Sequence, residues 1–198
     1  MGEKRDLLKI QSNKTKEKVL PAPQSTAARR LAEAELRALV ARFAPTNSRL
    51  IATMRRWLRK RLPTAHEVVY EYQDFLVISV SPDDRGYEGV FAIRASGEGV
   101  KLYFNHGKQF PDPGKLLQGS GKQTRFLAVD GKSTLERAEV LTLVDEAIAR
   151  NRIPFAETGR GSVIIRSTLA KRRAQMAATK SAPPGKTSRK PQRPKPRL

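Results

Sequence analysis

Apolar residues recur at helical spacing in two segments before residue 63. In the first segment, Ser25 or Thr26 can cap a helix that runs to about Arg42. Pro45 should interrupt this pattern, so the helix is expected to end before it. The apolar positions of the predicted helix are Leu31, Leu36, Leu39, Val40 and Phe43.

The second segment has the clearer amphipathic pattern. Asn47 or Ser48 is expected to cap a helix over residues 49–62, which Pro63 ends. Its apolar positions, at helical spacing, are Leu50, Ile51, Met54, Trp57, Leu58 and Leu62. The opposite face is expected to expose the bases Arg55, Arg56, Arg59, Lys60 and Arg61.

Alternating β-branched and aromatic residues then predict strands at 66–72, 75–81, 87–96, 100–106 and 124–131. The first four are joined by short connections, which favours an antiparallel meander. Residues 162–167 are a candidate edge strand. Thr134 should cap a third helix over residues 135–151. The residues that this helix is expected to bury are Leu135, Val140, Leu141, Val144 and Ile148.

The order of the elements predicts an α+β domain. It should contain an antiparallel sheet of about five strands, flanked by N-terminal helices and a C-terminal helix. All twelve aromatic residues lie between Phe43 and Phe155, so the core must form there. The polar and basic composition of residues 1–24 and 174–198 cannot bury enough apolar surface to fold. We therefore expect a domain over residues 25–173 between two disordered tails.

Positive charge is concentrated at the C-terminal end of the chain. Of the formal net charge of +20, ten positive charges and no acidic residue lie in residues 171–198. Such a basic, proline-interrupted segment attracts nucleic acid by counterion release, without reading its sequence. The alternative is a solubilising extension.

Composition excludes several kinds of site. The chain has no cysteine, which excludes disulfides, thiolate metal sites and cysteine nucleophiles, and its two histidines are too few for a histidine-rich metal site. No apolar segment has the length of a signal peptide or a membrane span. We expect a cytoplasmic protein with no membrane association, no cofactor and no bound metal.

Three segments resemble a known family. They are residues 55–72 (RRWLRKRLPTAHEVVYEY), 100–126 (VKLYFNHGKQFPDPGKLLQGSGKQTRF) and 163–173 (VIIRSTLAKRR). With these segments in this order, the chain resembles the YdhG-like family, also called domain of unknown function 1801, over most of residues 31–173. The resemblance implies a compact α+β fold, frataxin-like in outline, and it brings no shared catalytic motif.

Some members of that family are called iron chaperones. Iron binding by frataxin-like proteins is associated with acidic residues crowded along a helix and the adjoining strand edge. Here the second helix carries five bases, and the region that follows offers only Glu67, Glu71 and Asp74. Because a cationic surface opposes the approach of a hard cation, iron binding ranks below the other hypotheses.

A long connection between two predicted strands, residues 107–123, is a candidate functional loop. Its GSGK run at 119–122 lacks the upstream glycine and the following Ser or Thr of a phosphate-binding loop, and it precedes a strand. A simpler anion nest of backbone N–H groups and bases fits the run. The alternative is a tight turn with solvated lysines. The candidate ligand-binding residues are Asn105, His106, Lys115, Gly119, Gly121, Lys122 and Arg125.

Basic residues elsewhere suggest a surface that binds polyanions. A solvated helix face is the alternative, and no exposed pair of aromatic residues for stacking bases is evident. The candidate polyanion-binding residues are Arg55, Arg56, Arg59, Lys60, Lys171, Arg172 and Arg173.

No catalytic set is evident. Glu67 and Glu71 have the same strand parity and His66 has the other, which is typical of residues on a polar strand face. The first hypothesis is a ligand- or partner-binding module without enzymatic activity, whose functional face is the 105–125 loop. The alternative is a nucleic-acid-associated protein that uses its basic tail. An iron-binding protein is the least favoured hypothesis.

Overall fold

A computed structural model describes residues 23–86 and 88–167. The predicted tails, 1–24 and 174–198, lie outside these ranges except for residues 23 and 24. None of the helices in the described ranges is long and apolar enough to cross a bilayer. The elements are α1 (Thr26–Val40), α2 (Pro45–Arg61), β1 (His66–Glu71), β2 (Phe75–Ser81), β3 (Phe91–Ser96), β4 (Gly99–Phe104), β5 (Arg125–Ala128), α3 (Lys132–Leu135), α4 (Ala138–Ala149) and β6 (Val163–Ser167).

The six strands form one sheet in the order β5-β4-β3-β2-β1-β6. Strands β1 to β5 pair with their neighbours in sequence and are antiparallel, whereas β6 pairs in parallel with β1. The predicted α+β class is confirmed, but the sheet is mixed and has six strands instead of about five. Residues 162–167 do supply an edge strand. It pairs with β1, which lies near the other end of the domain sequence, as in the pair of Glu67 with Val163. No local sequence pattern specifies a pairing over such a separation.

Helix α1 begins as predicted. The side-chain oxygen of Ser25 accepts a hydrogen bond from the backbone N–H of Ala28 at 3.2 Å, which satisfies one free donor of the first turn. Leu36 lies at the centre of the buried side and is fully buried. Leu31 was expected on the same side, but it is 73% exposed, because it lies beyond the edge of the sheet-facing stripe.

The predicted start of α2 is wrong, because the helix begins at Pro45 and not at Asn47 or Ser48. Proline fits the first turn of a helix, where its missing N–H would have no helical acceptor. Ser48 instead donates its hydroxyl to the carbonyl of Val40, 3.0 Å away, at the end of α1. The residue predicted to start one helix therefore helps to close the previous one.

The predicted third helix is two helices, α3 and α4. Thr134 lies within α3 and does not cap the longer helix, which begins at Ala138. Arg137 separates the two because its backbone is extended, with φ −64° and ψ 137°. Leu135 and Val144, one from each helix, are fully buried as expected.

The core lies between the helices and one face of the sheet. Phe91 and Phe104 pack edge to face there, with ring centroids 5.4 Å apart. Buried residues of all four helices belong to the same apolar cluster as the inward-facing strand residues, and burial of their apolar area stabilises this arrangement. A row of inward-facing residues crosses β1 to β5, and its members are Val69, Ile78, Ile93, Leu102 and Leu127.

The opposite side of the sheet, which we call the open face, is left without a helix in the described ranges. At its β1 end, residues 82–86 lie over it. There the hydroxyl of Tyr70 donates to the carbonyl of Arg85 at 3.0 Å, and that of Ser79 donates to Gly86 at 3.1 Å. Towards β5 the open face is partly exposed.

Candidate anion-binding site

Two arginines of α2 lie between α1 and β1, Arg55 buried and Arg59 partly exposed. Arg55 binds the carboxylate of Glu67 on β1 at 2.6 Å and that of Glu33 on α1 at 3.1 Å. Arg59 binds the same two carboxylates, with a distance of 2.5 Å to Glu33. We call these two arginines and two glutamates the ion cluster.

Positions along the chain explain the ion cluster. Arg55 and Arg59 are four residues apart and so lie on one side of α2. Glu67 has the same strand parity as Val69, which faces the helices, and only 3% of Glu67 is exposed. The expectations that Arg55 lies on an exposed basic face and Glu67 on a polar strand face are therefore wrong. Arg55 is 9% exposed, because a buried carboxylate needs a cationic partner.

The ion cluster favours the charged forms of Glu33 and Arg59. Burial alone would raise the pKa of Glu33, but the hydrogen bond from Arg59 and the charges of both arginines hold that pKa below its ordinary value. Burial alone would lower the pKa of Arg59, but the charges of Glu67 and Glu33 raise it above its ordinary value. With two positive and two negative charges, the cluster is neutral as a whole.

Beside the ion cluster lies a cleft of about 270 Å³, which we call the arginine cleft. Arg29 of α1 lines it and donates to the backbone carbonyl of Gly161. Arg59 extends into the lining from the cluster, and the loop between α4 and β6 contributes Gly159 and Arg160. Residues far apart in sequence, from α1, α2 and this loop, therefore meet in one cleft.

The glycines of that loop allow it to lie against the start of β1. Gly159 has a φ of +98°, which glycine adopts readily. Gly161 has no room for a side chain, since a Cβ there would be 1.7 Å from the carbonyl oxygen of Ala65. Its N–H donates to the carbonyl of Pro63 at 3.0 Å. These contacts position Arg160, which stands between the two glycines, in the arginine cleft.

The arginine cleft has more positive than negative charge. Burial lowers the pKa of Arg29, and the charges of Arg160 and Arg59 lower it further, against the opposing effect of Glu33 and Glu67. Arg160 is exposed, and no carboxylate of the described residues lies within ion-pair distance of it. Since the ion cluster is neutral, Arg29 and Arg160 leave two positive charges uncompensated.

A second cavity, of about 430 Å³, shares part of its lining with the arginine cleft. His66 lines it, and its Nδ1 accepts the backbone N–H of Ser162 at 3.3 Å, so the ring proton is assigned to Nε2. Burial lowers the pKa of His66, while the charges of Asp84 and Asp83 oppose this effect. The hydroxyl-bearing residues that line this cavity are Thr26, Thr64, Thr158 and Ser162.

The 105–125 loop is held mainly by hydrogen bonds within itself. The carboxylate of Asp112 accepts from the N–H groups of Leu116 and Leu117, at 3.0 and 2.7 Å. Gln118 and Phe126 exchange two backbone hydrogen bonds, which place the second half of the loop alongside β5. These bonds give the loop a defined course.

The first predicted ligand residues of this loop have separate surroundings. The side-chain amide of Asn105 donates to the carbonyl of Gly89. His106 lines a cavity of about 320 Å³ together with Arg150 and Arg152, and none of the other six predicted ligand residues lines that cavity. The structure therefore separates His106 from the glycine-rich end of the loop.

The glycine-rich end of the loop satisfies its own carbonyls. Arg125 donates to the carbonyls of Gly121 and Thr124, at 2.6 and 2.9 Å. Lys122 is exposed. Lys115 and Gly119 are also exposed and have φ values of +49° and +105°. An anion site at these residues remains a prediction.

The predicted polyanion surface is only partly described. Lys171, Arg172 and Arg173 lie outside the described residues. Arg56 and Lys60 are exposed and line a groove of about 670 Å³ that Trp57, Arg61 and Lys132 also line. Polyanion binding by these bases remains a prediction.

Sequence reasoning missed Arg29, Glu33 and Arg160. Glu33 lies three residues before the buried Leu36, which places it towards the covered side of α1 and could have indicated a buried partner. The run TGRGS at 158–162 has a base between two glycines, whereas the GSGK run has a base directly after two glycines. The same signal could therefore have indicated Arg160. Arg29 carries no local signal, because only the packing of α1 against β6 brings it to the cleft.

No group of three or more His, Asp or Glu side chains within residues 23–86 and 88–167 is placed to hold a metal ion. Glu33 and Glu67 share the partner Arg59, so their carboxylates bind arginine and not a metal. Comparison of the chain with models of protein families, with curated proteins and with solved structures finds no match. The resemblance to the YdhG-like family therefore remains a prediction from the sequence segments.

Proposed function

We propose that this protein is a ligand-binding module that takes up a small phosphate-bearing anion in the arginine cleft. The class of function is the one expected from the sequence, and its site moves from the 105–125 loop to the cleft. The observation that carries the proposal is the pair Arg29 and Arg160, which line one cleft and form no ion pair with a carboxylate of the described residues. Glu67 also lines the cleft, but Arg55 and Arg59 bind its carboxylate.

The donor groups of the cleft fit a phosphoryl group. A guanidinium has five N–H donors in a planar fork, so Arg29 keeps further donors after binding the carbonyl of Gly161. Arg160 is flanked by glycines, which let a ligand approach the backbone closely. Binding an anion here would also relieve the mutual repulsion of Arg29, Arg59 and Arg160.

The size of the cleft limits the ligand. Sites for small molecules usually enclose roughly 300–1,000 Å³. The arginine cleft, at about 270 Å³, is close to the lower end of this range, and the hydroxyl-lined cavity beside it adds about 430 Å³. A phosphate or pyrophosphate with at most a small attached group suits this space.

Calorimetric titration of the full chain with inorganic pyrophosphate, at fixed ionic strength, tests the proposal. Arg160→Gln removes one uncompensated charge from an exposed position and should leave the fold intact. We expect it to weaken binding by about 10- to 100-fold, the loss of one or two charge-assisted hydrogen bonds.

Lys122→Gln is the matched control, because it removes the same charge from the exposed end of the 105–125 loop. It should leave the affinity within about twofold of the original. Equal losses in the two variants would show that pyrophosphate responds only to net charge, and a loss confined to Lys122→Gln would return the site to the loop. Either result contradicts the cleft as the binding site.

A further inference from the structure

The open face carries aromatic rings and cations in alternation. Tyr72, directly after β1, stacks on Phe75 with ring centroids 4.2 Å apart and an interplanar angle of 18°. The guanidinium carbon of Arg94 lies 4.6 Å from the centroid of the Phe75 ring. Arg94 also donates to the hydroxyl of Tyr103 at 3.4 Å.

The series continues to the last antiparallel strand. The rings of Tyr103 and Phe126 are 5.3 Å apart, and the ammonium group of Lys101 lies 4.8 Å above the Phe126 ring. We call these six residues, which extend from the end of β1 to β5, the aromatic strip. Its members are Tyr72, Phe75, Arg94, Lys101, Tyr103 and Phe126.

Strand register assembles the aromatic strip. Arg94 is paired with Lys101, and Tyr103 is paired with Phe126, so that each pair points to the same side of the sheet. Phe75 belongs to the parity of β2 that faces away from Ile78 and the helices. Local sequence patterns did not indicate these aromatic pairs, because their members come from different strands or from either side of a turn.

Arg94 lacks the partners that an arginine in such a position normally has. Its Nε is buried and has no hydrogen-bond partner, and no carboxylate of the described residues lies within ion-pair distance of it. Lys101 pairs at 3.3 Å with Glu98, a surface residue whose side chain is 77% exposed, so this pair is weak. The aromatic strip is therefore a partly exposed, positively charged surface.

We propose that the aromatic strip binds single-stranded nucleic acid. Bases would stack on Tyr72, the exposed ring of the strip, and on the accessible edges of the partly buried rings of Tyr103 and Phe126. Phosphates between them would bind Arg94 and Lys101. Flat sheets with aromatic residues on neighbouring strands stack two or three bases in this way, and basic side chains between the rings add affinity.

Charge complementarity selects this occupant over others. A second copy of the chain that presented the same face would bring the same two cations, Arg94 and Lys101, against this one. A purely apolar partner would bury the cations without compensating them, which is unfavourable. A polyanion that also carries π-faces satisfies both kinds of group. Binding is expected to be independent of base sequence, because every base has a π-face.

The test is fluorescence anisotropy with the full chain and three labelled probes at 150 mM salt: a 12-nucleotide oligothymidylate, an abasic strand of equal length and charge, and a DNA duplex. Stacking predicts that the oligothymidylate binds at least about tenfold more tightly than the abasic strand. It also predicts tighter binding of the oligothymidylate than of the duplex, whose bases are already stacked. This comparison uses the unaltered protein and does not depend on any variant being folded.

Three variants locate the site. Tyr72→Ala removes a ring that is 36% exposed, and it should weaken oligothymidylate binding about tenfold while leaving abasic-strand binding unchanged. Tyr72→Phe keeps the ring and should retain the affinity. Arg56→Gln, on the helical side of the protein, should weaken all three probes slightly and equally.

Three results would overturn the proposal. Equal affinity for the oligothymidylate and the abasic strand would show that only phosphates are bound, as the basic segment 171–198 alone could do. Tighter binding of the duplex would show the same. A preference for bases that Tyr72→Ala leaves unchanged would place stacking on another surface.

Discussion

Two loops of this protein combine glycines, a serine and a base, and they behave differently. The run GSGK at 119–122 belongs to the 105–125 loop, and the run GRGS at 159–162 belongs to the arginine cleft. In the first, Arg125 binds the carbonyls of its own loop and Lys122 extends into solvent. In the second, the loop lies against β1 and its base meets Arg29 and Arg59 from other elements.

The difference shows what makes a basic loop a candidate site. A local run of glycine and lysine supplies flexible backbone and a solvated charge, which screening by salt weakens. A site for an anion needs several donors that the fold already holds together, so that little conformational freedom is lost on binding. The arginine cleft holds several donors together because α1, α2 and the loop before β6 converge there. In the 105–125 loop, Lys122 is exposed and Arg125 binds carbonyls of the loop itself, so its bases do not converge on one point.

The largest expected effect concerns the support beneath the cleft. Glu67→Gln would leave the buried Arg55 and the adjacent Arg59 with one carboxylate between them instead of two. We expect the free energy of unfolding in urea to fall by about 3–5 kcal/mol, the usual cost of removing one partner of a buried pair. The matched control is Glu71→Gln on the same strand face.

The control removes a carboxylate that binds Arg42, whose side chain is 45% exposed, and that is not part of the buried ion cluster. Its cost should be no more than about 1 kcal/mol. Similar costs for Glu67→Gln and Glu71→Gln would mean that the ion cluster does not support the cleft. The two loops would then be more alike than their contacts suggest.

A smaller effect separates the two loops directly through their glycines. Gly161→Ala would place a Cβ 1.7 Å from the carbonyl oxygen of Ala65, so the loop must move away from β1. We expect a loss of about 3 kcal/mol in the free energy of unfolding, at the upper end of overpacking costs. Thermal and urea unfolding of the purified variant measure this loss.

Gly121→Ala is the counterpart in the other loop. Its Cβ would lie 3.1 Å from the carbonyl oxygen of Thr124, a contact that a small shift relieves. The expected cost is no more than about 1 kcal/mol. If Gly121→Ala proved as costly as Gly161→Ala, the 105–125 loop would be as tightly constrained as the cleft, and the contrast between them would fail.

The smallest expected effect is a pH dependence on the cleft side alone. Burial holds the pKa of His66 below its ordinary value of 6.5, and Asp84 and Asp83 only partly oppose this. The unfolded chain therefore binds more protons than the folded one as pH falls through 6.5. Stability is fully present above this pH and declines below it, as protonation removes the acceptor for Ser162.

His66→Gln should remove this decline in the pH range below 6.5. The pKa of Glu33 and that of Asp83 also lie below their ordinary values, but their contributions are lost only at more acidic pH. Urea unfolding across this range, with pH 7.5 as the common reference, gives the comparison. If the free energy of unfolding of His66→Gln declined with pH as steeply as that of the original protein, other groups would cause the decline. The contact between His66 and Ser162 would then not be pH-sensitive.

Much of the fold could be predicted from local patterns. Strict alternation predicted β2 over Phe75–Ser81 with the bounds that the structure has, and the cap of α1 at Ser25 is as predicted. Local patterns failed where one residue is compatible with two different structures. Pro45 was interpreted as a helix break, although proline also starts helices, and the single helix predicted from Thr134 is divided by the extended Arg137.

The candidate sites were less predictable than the fold. Lys122 and its glycines were selected because the signal lies within four consecutive residues. Arg29 and Arg160 are 131 positions apart, and Tyr72 and Phe126 are separated by three strands. Their proximity depends on strand order and on which side of the sheet each element covers. No local periodicity encodes either.

The sequence by itself determined the class of fold, the strands and helices, and the excess of positive charge. These follow from side-chain chemistry and from periods of 2 and 3.6 residues, which act over a few residues. Only the tertiary structure decided which charges are neutralised and which are left over. Arg55 and Arg59 bind carboxylates in the ion cluster, while Arg29, Arg160 and Arg94 form no ion pair with any carboxylate in the part of the chain that the structure describes. The physical reason is that desolvation and Coulomb interactions depend on distance in space, which the fold sets.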